Sequence, residues 1–311
     1  MNSKNSCIAA LPYDATDRNT VARLFFKIFR RFAIFVAMKD NVRTVLVTGG
    51  SSGIGAATAR LLCDAGIVVY AASRSGKAPE GYSQNGNMVP VVMDVNDTEG
   101  VASVVERIVR ERGSLDAVVC NAGNGIAGPI EETSIAEIEA QFSTTFYGVV
   151  KTVQACLPVF RAQGYGRVVT VSSVAALAPL PYQGYYSCVK AGILQLTKAL
   201  AIETKDFGVQ CCVVMPGDVK TGFTKARKVA EKSQSEASPY YEGTVRAVEA
   251  MAKDEREGMP PEVIGKAILK QLQRRRMKPE VTPTFLYSLL VFAIRRLPQR
   301  LVLKVLGWMY S

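Results

Sequence analysis

The pattern of apolar and polar positions alternates regularly between residues 43 and 283. Short apolar runs rich in β-branched residues predict six strands, at 43–48, 67–73, 88–95, 115–120, 166–173 and 209–216. Helix-like segments separate them: one ends near residue 65, and others lie at 97–112, 134–163 and 186–206. Because strands alternate with helices, we expect one doubly wound parallel α/β sheet with helices on both faces. A short run at 279–283 predicts a seventh strand.

Both ends of the chain combine apolar runs with basic residues at helical spacing. Residues 21–38 predict a helix with four basic side chains on one side and Leu, Phe and Ile on the other. Residues 284–294 form an apolar run, and Pro298 breaks the C-terminal segment, so we expect two short helices there. Neither stretch has the roughly 20 apolar residues that a spanning helix needs. The first also lacks the features of a signal peptide.

The two ends of the chain are basic, whereas its middle is nearly neutral. The 311 residues carry a net charge of +11, but residues 1–43 hold eight basic and three acidic residues, and residues 262–311 hold ten and two. A near-neutral middle argues against nucleic-acid binding, whereas basic amphipathic ends fit an anionic membrane surface. The alternative is that these ends pack on the core or on a sister subunit. We expect extensions at 1–43 and 283–311 around an α/β domain at 44–282.

The chain has seven scattered cysteines and no histidine. This composition argues against a zinc site and against a disulfide framework, so we expect no metal and reduced thiols in a cytoplasmic protein. Histidine is also the usual proton-transfer side chain near neutral pH. Any proton transfer therefore needs other groups, and Tyr186 with Lys190 four residues later is the candidate pair.

The first predicted strand leads into a glycine-rich turn, TGGSSGIG at 48–55. Gly49 permits a sharp turn, Gly53 lets the backbone approach a pyrophosphate, and Gly55 lets the next helix lie close to the sheet. The helix N-terminus then offers free N–H groups to phosphates. Such a turn between a predicted strand and a predicted helix indicates a Rossmann-like dinucleotide-binding fold.

Polar or turn residues also follow the later strands, at Asp94, at 121–123, at Ser172 and Ser173, and at 216–217. The carboxyl ends of parallel strands meet at one edge of a sheet, where open α/β folds bind ligands. Taken singly, each residue is best explained as a loop or cap residue. Together they predict a ligand site at this edge.

In combination these motifs resemble the classical short-chain dehydrogenase/reductase family, over residues 44–282. Ser173 lies 13 residues before Tyr186, and Lys190 lies four after it, as in that family. The motifs are the glycine turn at 48–55, NAG at 121–123, Ser173, YSCVK at 186–190 and PGDVKT at 216–221. Within the family, the stretches VVCNAGNGIAGPIEE, GVVKTVQACLP and PGDVKTGFT are most similar to the 17-beta-hydroxysteroid and retinol dehydrogenase branch.

The resemblance implies an NAD(P)-dependent oxidoreductase in which Tyr186 is the general acid or base. Lys190, one helical turn away, would favour the phenolate through its positive charge and hold the nicotinamide ribose. An oxidised nicotinamide ring would add a second positive charge. Ser173 would hydrogen-bond the substrate oxygen and stabilise its developing charge. The hydride itself belongs to the cofactor.

The resemblance also implies the cofactor-binding residues. They are Thr48, Gly49, Ser51, Ser52, Gly53, Ile54, Gly55, Arg74, Asp94, Val95, Asn121, Ala122, Gly123, Tyr186, Lys190, Pro216, Gly217, Val219 and Thr221. An acidic residue at the end of the second strand would bind the 2′-hydroxyl of NAD, but this chain has Ser73 and Arg74 there, with Lys77 close by. Arginine can pair with a 2′-phosphate, so we expect NADP(H) rather than NAD(H).

One position departs from the family's pattern. Thr145 stands three residues before Gly148, where the family usually has an asparagine. In the family that asparagine helps to hold a water that links the lysine to solvent. Threonine has a shorter reach, so we expect a proton relay that is slower or differently routed.

Residues 218–258 follow the sixth strand, and their length predicts a helical lid over the substrate. We expect an apolar, uncharged pocket lined by Gly125, Ile126, Leu177, Leu180, Pro181, Tyr182 and Met215. Such a pocket favours a hydrophobic alcohol or ketone, which predicts a steroid-like, retinoid-like or long-chain lipid substrate and a role in lipid metabolism.

Two other functions remain open. A 3-oxoacyl or 3-keto lipid reductase would use the same residues. A non-catalytic, membrane-associated nucleotide sensor or scaffold is favoured only by Thr145, while the intact Ser173, Tyr186 and Lys190 oppose it. Family members commonly pair, which implies a homodimer. If the basic ends bind lipid, the protein would lie peripherally on the cytosolic face of a membrane.

Overall fold

The computed structural model describes residues 42–79, 82 and 86–310. The basic helix predicted at 21–38 lies outside the described residues. So does all of the predicted N-terminal extension apart from Val42 and Arg43.

A seven-stranded sheet, parallel throughout, forms the centre of the molecule. A separate pair of two-residue strands, β5 and β8, also runs parallel. Across the main sheet the order is β3-β2-β1-β4-β6-β7-β9, so the strand order reverses between β1 and β4 and opens a crevice there. The strands are β1 Thr44–Thr48, β2 Val68–Ser73, β3 Met88–Val92, β4 Ala117–Cys120, β5 Ile126–Ala127, β6 Gly166–Val171, β7 Val209–Val214, β8 Lys228–Val229 and β9 Glu280–Val281.

Helices cover both faces of the sheet. They are α1 Gly53–Asp64, α2 Thr98–Arg112, α3 Ile135–Phe142, α4 Gly148–Gln163, α5 Gly184–Glu203, α6 Phe223–Ala226, α7 Tyr241–Glu257, α8 Pro261–Gln273, α9 Phe285–Arg296 and α10 Gln299–Tyr310. A five-residue π-helix, Ser143–Tyr147, joins α3 to α4. The predicted Rossmann-like, doubly wound fold is confirmed.

Two layers of buried apolar side chains hold the helices on the sheet. On one face Phe160 of α4 and Ile193 of α5 pack with side chains of α2. On the other face Leu62 of α1 packs with Ile264 and Ile268 of α8. The six cysteines in the described part of the chain are free, and five of them are buried.

Some strand boundaries differ from those expected from the sequence, because polar side chains there hydrogen-bond to backbone N–H groups. The predicted strand at 88–95 ends at Val92, because the carboxylate of Asp94 accepts the N–H of Asn96 at 2.9 Å and bends the chain. Asp97 then caps α2 by accepting the N–H of Glu99. The predicted seventh strand is confirmed as β9, which pairs with Val213 and Val214.

The segment predicted as a lid, 218–258, contains α6, β8, a 3₁₀ turn at Lys232–Gln234 and α7. Pairing of β8 with β5 fixes this segment beside the loop that follows β4. This segment is therefore helical only in part, and the β5–β8 pair anchors it at residues 228 and 229.

The C-terminal residues form two helices that break at Pro298, as predicted. Their inward side chains pack on the domain: Val291 lies with Leu194 and Met215, and Tyr310 lies with Met251 of α7. Within the described part of the chain, every helix is too short or too polar to cross a bilayer.

Candidate active site

Gly49 and Gly55, at the turn between β1 and α1, have no room for a side chain. Gly49 has φ +66°, and a Cβ there would lie 2.9 Å from Nδ2 of Asn121, whereas a Cβ on Gly55 would collide with the carbonyl oxygen of Gly49. Gly53, with φ +53°, also needs the conformational freedom of glycine. Bare backbone therefore faces the crevice at the start of α1. These residues fit a dinucleotide pyrophosphate, which needs close backbone approach and free N–H groups.

Thr48 and Asn121 tie the ends of β1 and β4 together. Oγ1 of Thr48 accepts the N–H groups of Asn121 and Ala122, each at 3.0 Å. Nδ2 of Asn121 donates in return to the carbonyl oxygen of Thr48 at 3.0 Å. The hydrogen bonds of these two side chains are made to backbone groups of the protein. Thr48 and Asn121 therefore shape the floor of the crevice.

One cavity of about 760 Å³ runs from the glycine turn to the C-terminal helices. Thirteen predicted cofactor residues line it: Gly49, Ser52, Gly53, Ile54, Asn121, Ala122, Gly123, Tyr186, Lys190, Pro216, Gly217, Val219 and Thr221. The other six lie outside this lining: Thr48, Ser51, Gly55, Arg74, Asp94 and Val95. Arg74 is exposed immediately after the end of β2.

Ser173, Tyr186 and Lys190 come together at the wall of this cavity. Ser173 follows β6 and caps a 3₁₀ turn by accepting the N–H of Ala175 at 3.1 Å. Tyr186 lies in the first turn of α5 and Lys190 in the second, so both project from one side of the helix. A hydrogen-bonding interaction of the Ser173 side chain acts to lower the pKa of Tyr186.

Burial dominates the ionisation of Tyr186. Desolvation raises the pKa of its phenol to about 12, the hydrogen bond from Ser173 opposes this rise, and the charge of Glu255 adds to it. The pKa therefore differs from the expectation that Lys190 would lower it. Desolvation also lowers the pKa of Lys190 to about 8, and its Nζ donates to the carbonyl oxygen of Val171 at 2.9 Å. Nζ lies 5.5 Å from the centre of the Tyr186 ring.

The segment predicted as a lid contacts Tyr186 through Phe223, which the sequence analysis did not identify. The ring of Phe223 lies 5.9 Å from that of Tyr186, and the Arg227 guanidinium lies 5.7 Å from the Phe223 ring. Arg227 is ion-paired with Glu255 of α7, and Thr224 donates to the same carboxylate at 2.5 Å. The charged stretch TKARK, at 224–228 within the segment predicted as a lid, is the sequence signal that could have indicated the Arg227–Glu255 pair.

Thr145 is buried in the π-helix and organises the loop after β4. Its Oγ1 donates to Oδ1 of Asn124 at 2.8 Å and accepts the backbone N–H of Asn124 at 3.1 Å. Nε2 of Gln141 also donates to it, at 3.2 Å. Asn124 lines the cavity, so Thr145 holds a cavity residue in place.

The predicted pocket lining was wrong for six of its seven residues, because only Leu180 lines the cavity. Met215 is fully buried beneath it, Ile126 pairs within the β5–β8 ladder, and Tyr182 packs against α7. The lining is also not free of charge, since Asp218 and Glu255 belong to it.

The apolar wall of the cavity comes instead from α9 and α10. It consists of Leu290, Ala293, Ile294, Leu297, Leu301, Val302, Val305, Leu306, Met309 and Tyr310. The regular apolar spacing of these helices was visible in the sequence, but it does not identify the surface against which they pack.

Comparison with known proteins agrees with this geometry. The sequence model described as short chain dehydrogenase matches residues 43–232. The chain is 36% identical to a 3-ketodihydrosphingosine reductase of Bacteroides thetaiotaomicron over 231 residues, which cover 74% of this chain and 84% of that protein. It is 34% identical to the Homo sapiens 17-beta-hydroxysteroid dehydrogenase type 1 over 190 residues, 58% of this chain and 57% of that one.

A solved structure has a similar fold. The crystal structure of a short-chain dehydrogenase from Streptomyces avermitilis superposes with a TM-score of 0.74 at 25% identity, and the match covers 87% of this chain and 97% of that one. The similarity therefore extends beyond the residues that the family's sequence model matches.

Proposed function

Because the chain belongs to the short-chain dehydrogenase/reductase family, and is therefore an NAD(P)-dependent oxidoreductase, we propose that it uses NADPH to reduce a long-chain keto lipid. One observation carries this proposal. A single cavity joins the glycine turn and the group of Ser173, Tyr186 and Lys190 to an apolar wall. A nucleotide at one end and an alkyl chain at the other could then meet at Tyr186.

In this mechanism Tyr186 supplies a proton. Its raised pKa keeps the phenol protonated at neutral pH, so it gives its hydrogen to the carbonyl oxygen as the alcohol forms. Ser173 hydrogen-bonds the same oxygen and stabilises the charge that develops there. The carbonyl carbon would receive its hydride from NADPH when that cofactor is bound. Lys190, largely protonated below pH 8, holds positive charge beside the phenol.

The substrate class rests on the apolar wall and on the relatives. The 3-ketodihydrosphingosine reductase matches over most of its length, which favours the keto-lipid alternative. The match to the 17-beta-hydroxysteroid dehydrogenase is shorter and supports a steroid ketone as the second candidate. A scaffold without activity is the least favoured function, since Ser173, Tyr186 and Lys190 meet at one cavity wall.

NADPH is preferred over NADH in this proposal because of Arg74. It follows β2 directly and is exposed, with Lys77 exposed three residues later. The last residue of β2 is Ser73, so the strand end carries no carboxylate to repel a 2′-phosphate.

The experiment that tests the proposal compares ketones with the purified full-length protein. NADPH oxidation is followed with 3-ketodihydrosphingosine, a 3-oxoacyl thioester and a steroid ketone. We expect turnover of the sphingoid ketone, and loss of turnover in Tyr186→Phe with nucleotide binding retained. Turnover of the steroid alone would reverse the ranking, and nucleotide binding without any turnover would favour the scaffold.

Two further proposals concern the oligomeric state of the protein and its location in the cell. We propose a homodimer in the cytoplasm, formed through α4 and α5. Exposed Tyr147 beside α4 and exposed Ile202 on α5 support it, since both leave apolar surface uncovered. Light scattering on the purified chain tests the stoichiometry, and a monomer at micromolar concentration would contradict it.

A further inference from the structure

The two C-terminal helices have an inner and an outer apolar face. Their inner side chains pack on the domain, as Val302 does with Ala178. Their outer side chains do not: Phe285 is 84% exposed and Trp308 is 81% exposed. The outer apolar side chains that do not line the cavity are Phe285, Leu286, Leu289, Phe292, Leu303 and Trp308. An apolar surface of this extent indicates a binding surface.

The cavity opens on this same surface. Five of its lining side chains are also between 44% and 57% exposed: Leu290, Leu297, Leu301, Val305 and Met309. A side chain that borders the cavity and the exterior at once marks the rim of an opening. The cavity mouth therefore lies within an apolar surface, where a long-chain substrate could pass without crossing water.

The charged side chains on α9 and α10 themselves are all basic. The helices carry Arg295, Arg296, Arg300 and Lys304, all exposed, and no acidic residue occurs from Val281 to the chain's end. Arg295 is paired with Glu280, and Arg296 lies 5.2 Å from the centre of the Phe292 ring. Apolar side chains flanked by cations suit the interface of a bilayer with anionic headgroups. Two copies of this surface would instead bring like charges together.

We propose that α9 and α10 bind an anionic lipid bilayer, with the cavity mouth facing the lipid, so that the substrate enters from the membrane. The keto-lipid part of this inference rests on the proposed function. The binding part rests only on the exposed apolar side chains, the cations and the position of the mouth.

Trp308 is the only tryptophan in the chain, so its fluorescence reports on this surface alone. The probe is a set of vesicles of phosphatidylcholine, with or without phosphatidylserine. We expect phosphatidylserine vesicles to shift the emission of the full-length protein to shorter wavelengths, and brominated lipid chains to quench it. Vesicles that sediment the protein without changing Trp308 emission would overturn the proposal, because another segment would then be binding.

Charge reversal provides the matched comparison. Arg296→Glu/Arg300→Glu/Lys304→Glu should weaken vesicle binding roughly 100-fold or more, since each cation near an anionic surface contributes about fivefold. The control is Lys205→Glu/Lys266→Glu/Lys270→Glu. It changes the net charge by the same amount, at exposed sites outside α9 and α10. Equal losses in the two variants would mean that only the net charge matters, and the proposal would be wrong.

Rates measured with a vesicle-bound ketone and with a water-soluble ketone distinguish an effect on substrate entry from an effect on catalysis. With a long-chain ketone in phosphatidylserine vesicles, the first variant should lose at least about tenfold in rate, while its rate on a small water-soluble ketone stays unchanged. Equal rates of both enzymes on the vesicle-bound ketone would exclude entry from the bilayer. If the unaltered protein binds vesicles but reduces no ketone, the proposed function fails while the membrane contact stands.

Discussion

Tyr287 of α9 donates its hydroxyl hydrogen to Oδ2 of Asp218 at 2.6 Å. The same hydroxyl accepts the backbone N–H of Asp218 at 3.0 Å. The Tyr287 ring lies so close to Gly217 that a Cβ there would collide with it. Burial and the Asp218 carboxylate raise the pKa of Tyr287 to about 12, so it remains a neutral donor at physiological pH. The C-terminal extension is thus fastened to the turn after β7, which lines the cavity.

Tyr287→Phe should destabilise the protein and loosen the apolar wall. A hydrogen bond to a charged group contributes about 1.5–3 kcal/mol, so we expect a fall of that order in the free energy of unfolding. The measurement is urea unfolding, combined with the KM for a long-chain ketone, which should rise more than that for a small ketone. Gly217→Ala should have a larger effect, because it displaces the whole ring. An unchanged KM for the long-chain ketone would contradict the role of α9 as a pocket wall.

The pH dependence of reduction should follow Lys190. Because burial lowers its pKa to about 8, Lys190 loses its proton as the pH rises through 8, while Tyr186, with a pKa of about 12, stays protonated. The positive charge beside the phenol is then lost, so kcat/KM should fall above about pH 8. Lys190→Arg keeps the charge at every accessible pH. Its activity will be lower, but the fall should move to higher pH, and an unchanged profile would assign the fall to another group.

Arg227→Met should strongly destabilise the lid. The Arg227 side chain is 2% exposed and that of Glu255 is 14% exposed, so removing the cation leaves a largely buried carboxylate with its hydrogen bond from Thr224 but without its ion-pair partner. Breaking such a pair costs about 3–5 kcal/mol. The double variant Arg227→Met/Glu255→Leu should recover most of that loss, because no buried charge is left over. Thermal unfolding of the three proteins tests this, and additive losses would show that the pair is not coupled.

Local pattern was enough to predict the sheet and the cofactor end of the site. β-Branched runs determine the strands, and the order of strands and helices determines where their carboxyl ends meet. The glycine turn was readable for the same reason, because the need for positive φ at Gly49 is a local property. Ser173, Tyr186 and Lys190 were predicted because their spacing resembles that of the family, and they all line one cavity.

Properties that depend on distant packing were not predictable from one sequence. The helical spacing of Val302 and Leu306 identifies an apolar face, but not the cavity that it closes. The pKa of Tyr186 was expected to fall beside the positive charges of Lys190 and a bound oxidised nicotinamide. Desolvation raises it instead, and burial depends on distant residues such as Phe223, whose ring lies 5.9 Å from that of Tyr186.

Arg74 should determine the choice between NADPH and NADH. If its guanidinium pairs with the 2′-phosphate, Arg74→Ala should raise the KM for NADPH by about tenfold or more and leave that for NADH nearly unchanged. Lys77→Ala is the matched control, since this exposed cation lies three residues further from the strand end and should have a smaller effect. Equal changes in both KM values would mean that Arg74 does not contact the 2′-phosphate.

Thr145→Val should damage the site although it preserves the shape of the side chain. Without the hydroxyl, the backbone N–H of Asn124 loses its acceptor, which costs about 1–3 kcal/mol. Oδ1 of Asn124 also loses a donor, whereas Nε2 of Gln141 still donates to the carbonyl oxygen of Asn124 at 2.9 Å. Because Asn124 lines the cavity, kcat should fall as well, whereas Thr145→Ser should retain both stability and rate. Thr145→Asn introduces the residue usual in the family but should also lose activity, because Thr145 is only 1% exposed and a longer side chain would displace the Asn124 and Gln141 groups that its hydroxyl contacts. Thermal unfolding and steady-state rates with NADPH test all three. A Thr145→Asn variant that is faster than the unaltered enzyme would show that the family's proton relay remains available here and that the Thr145–Asn124 contact does not replace it.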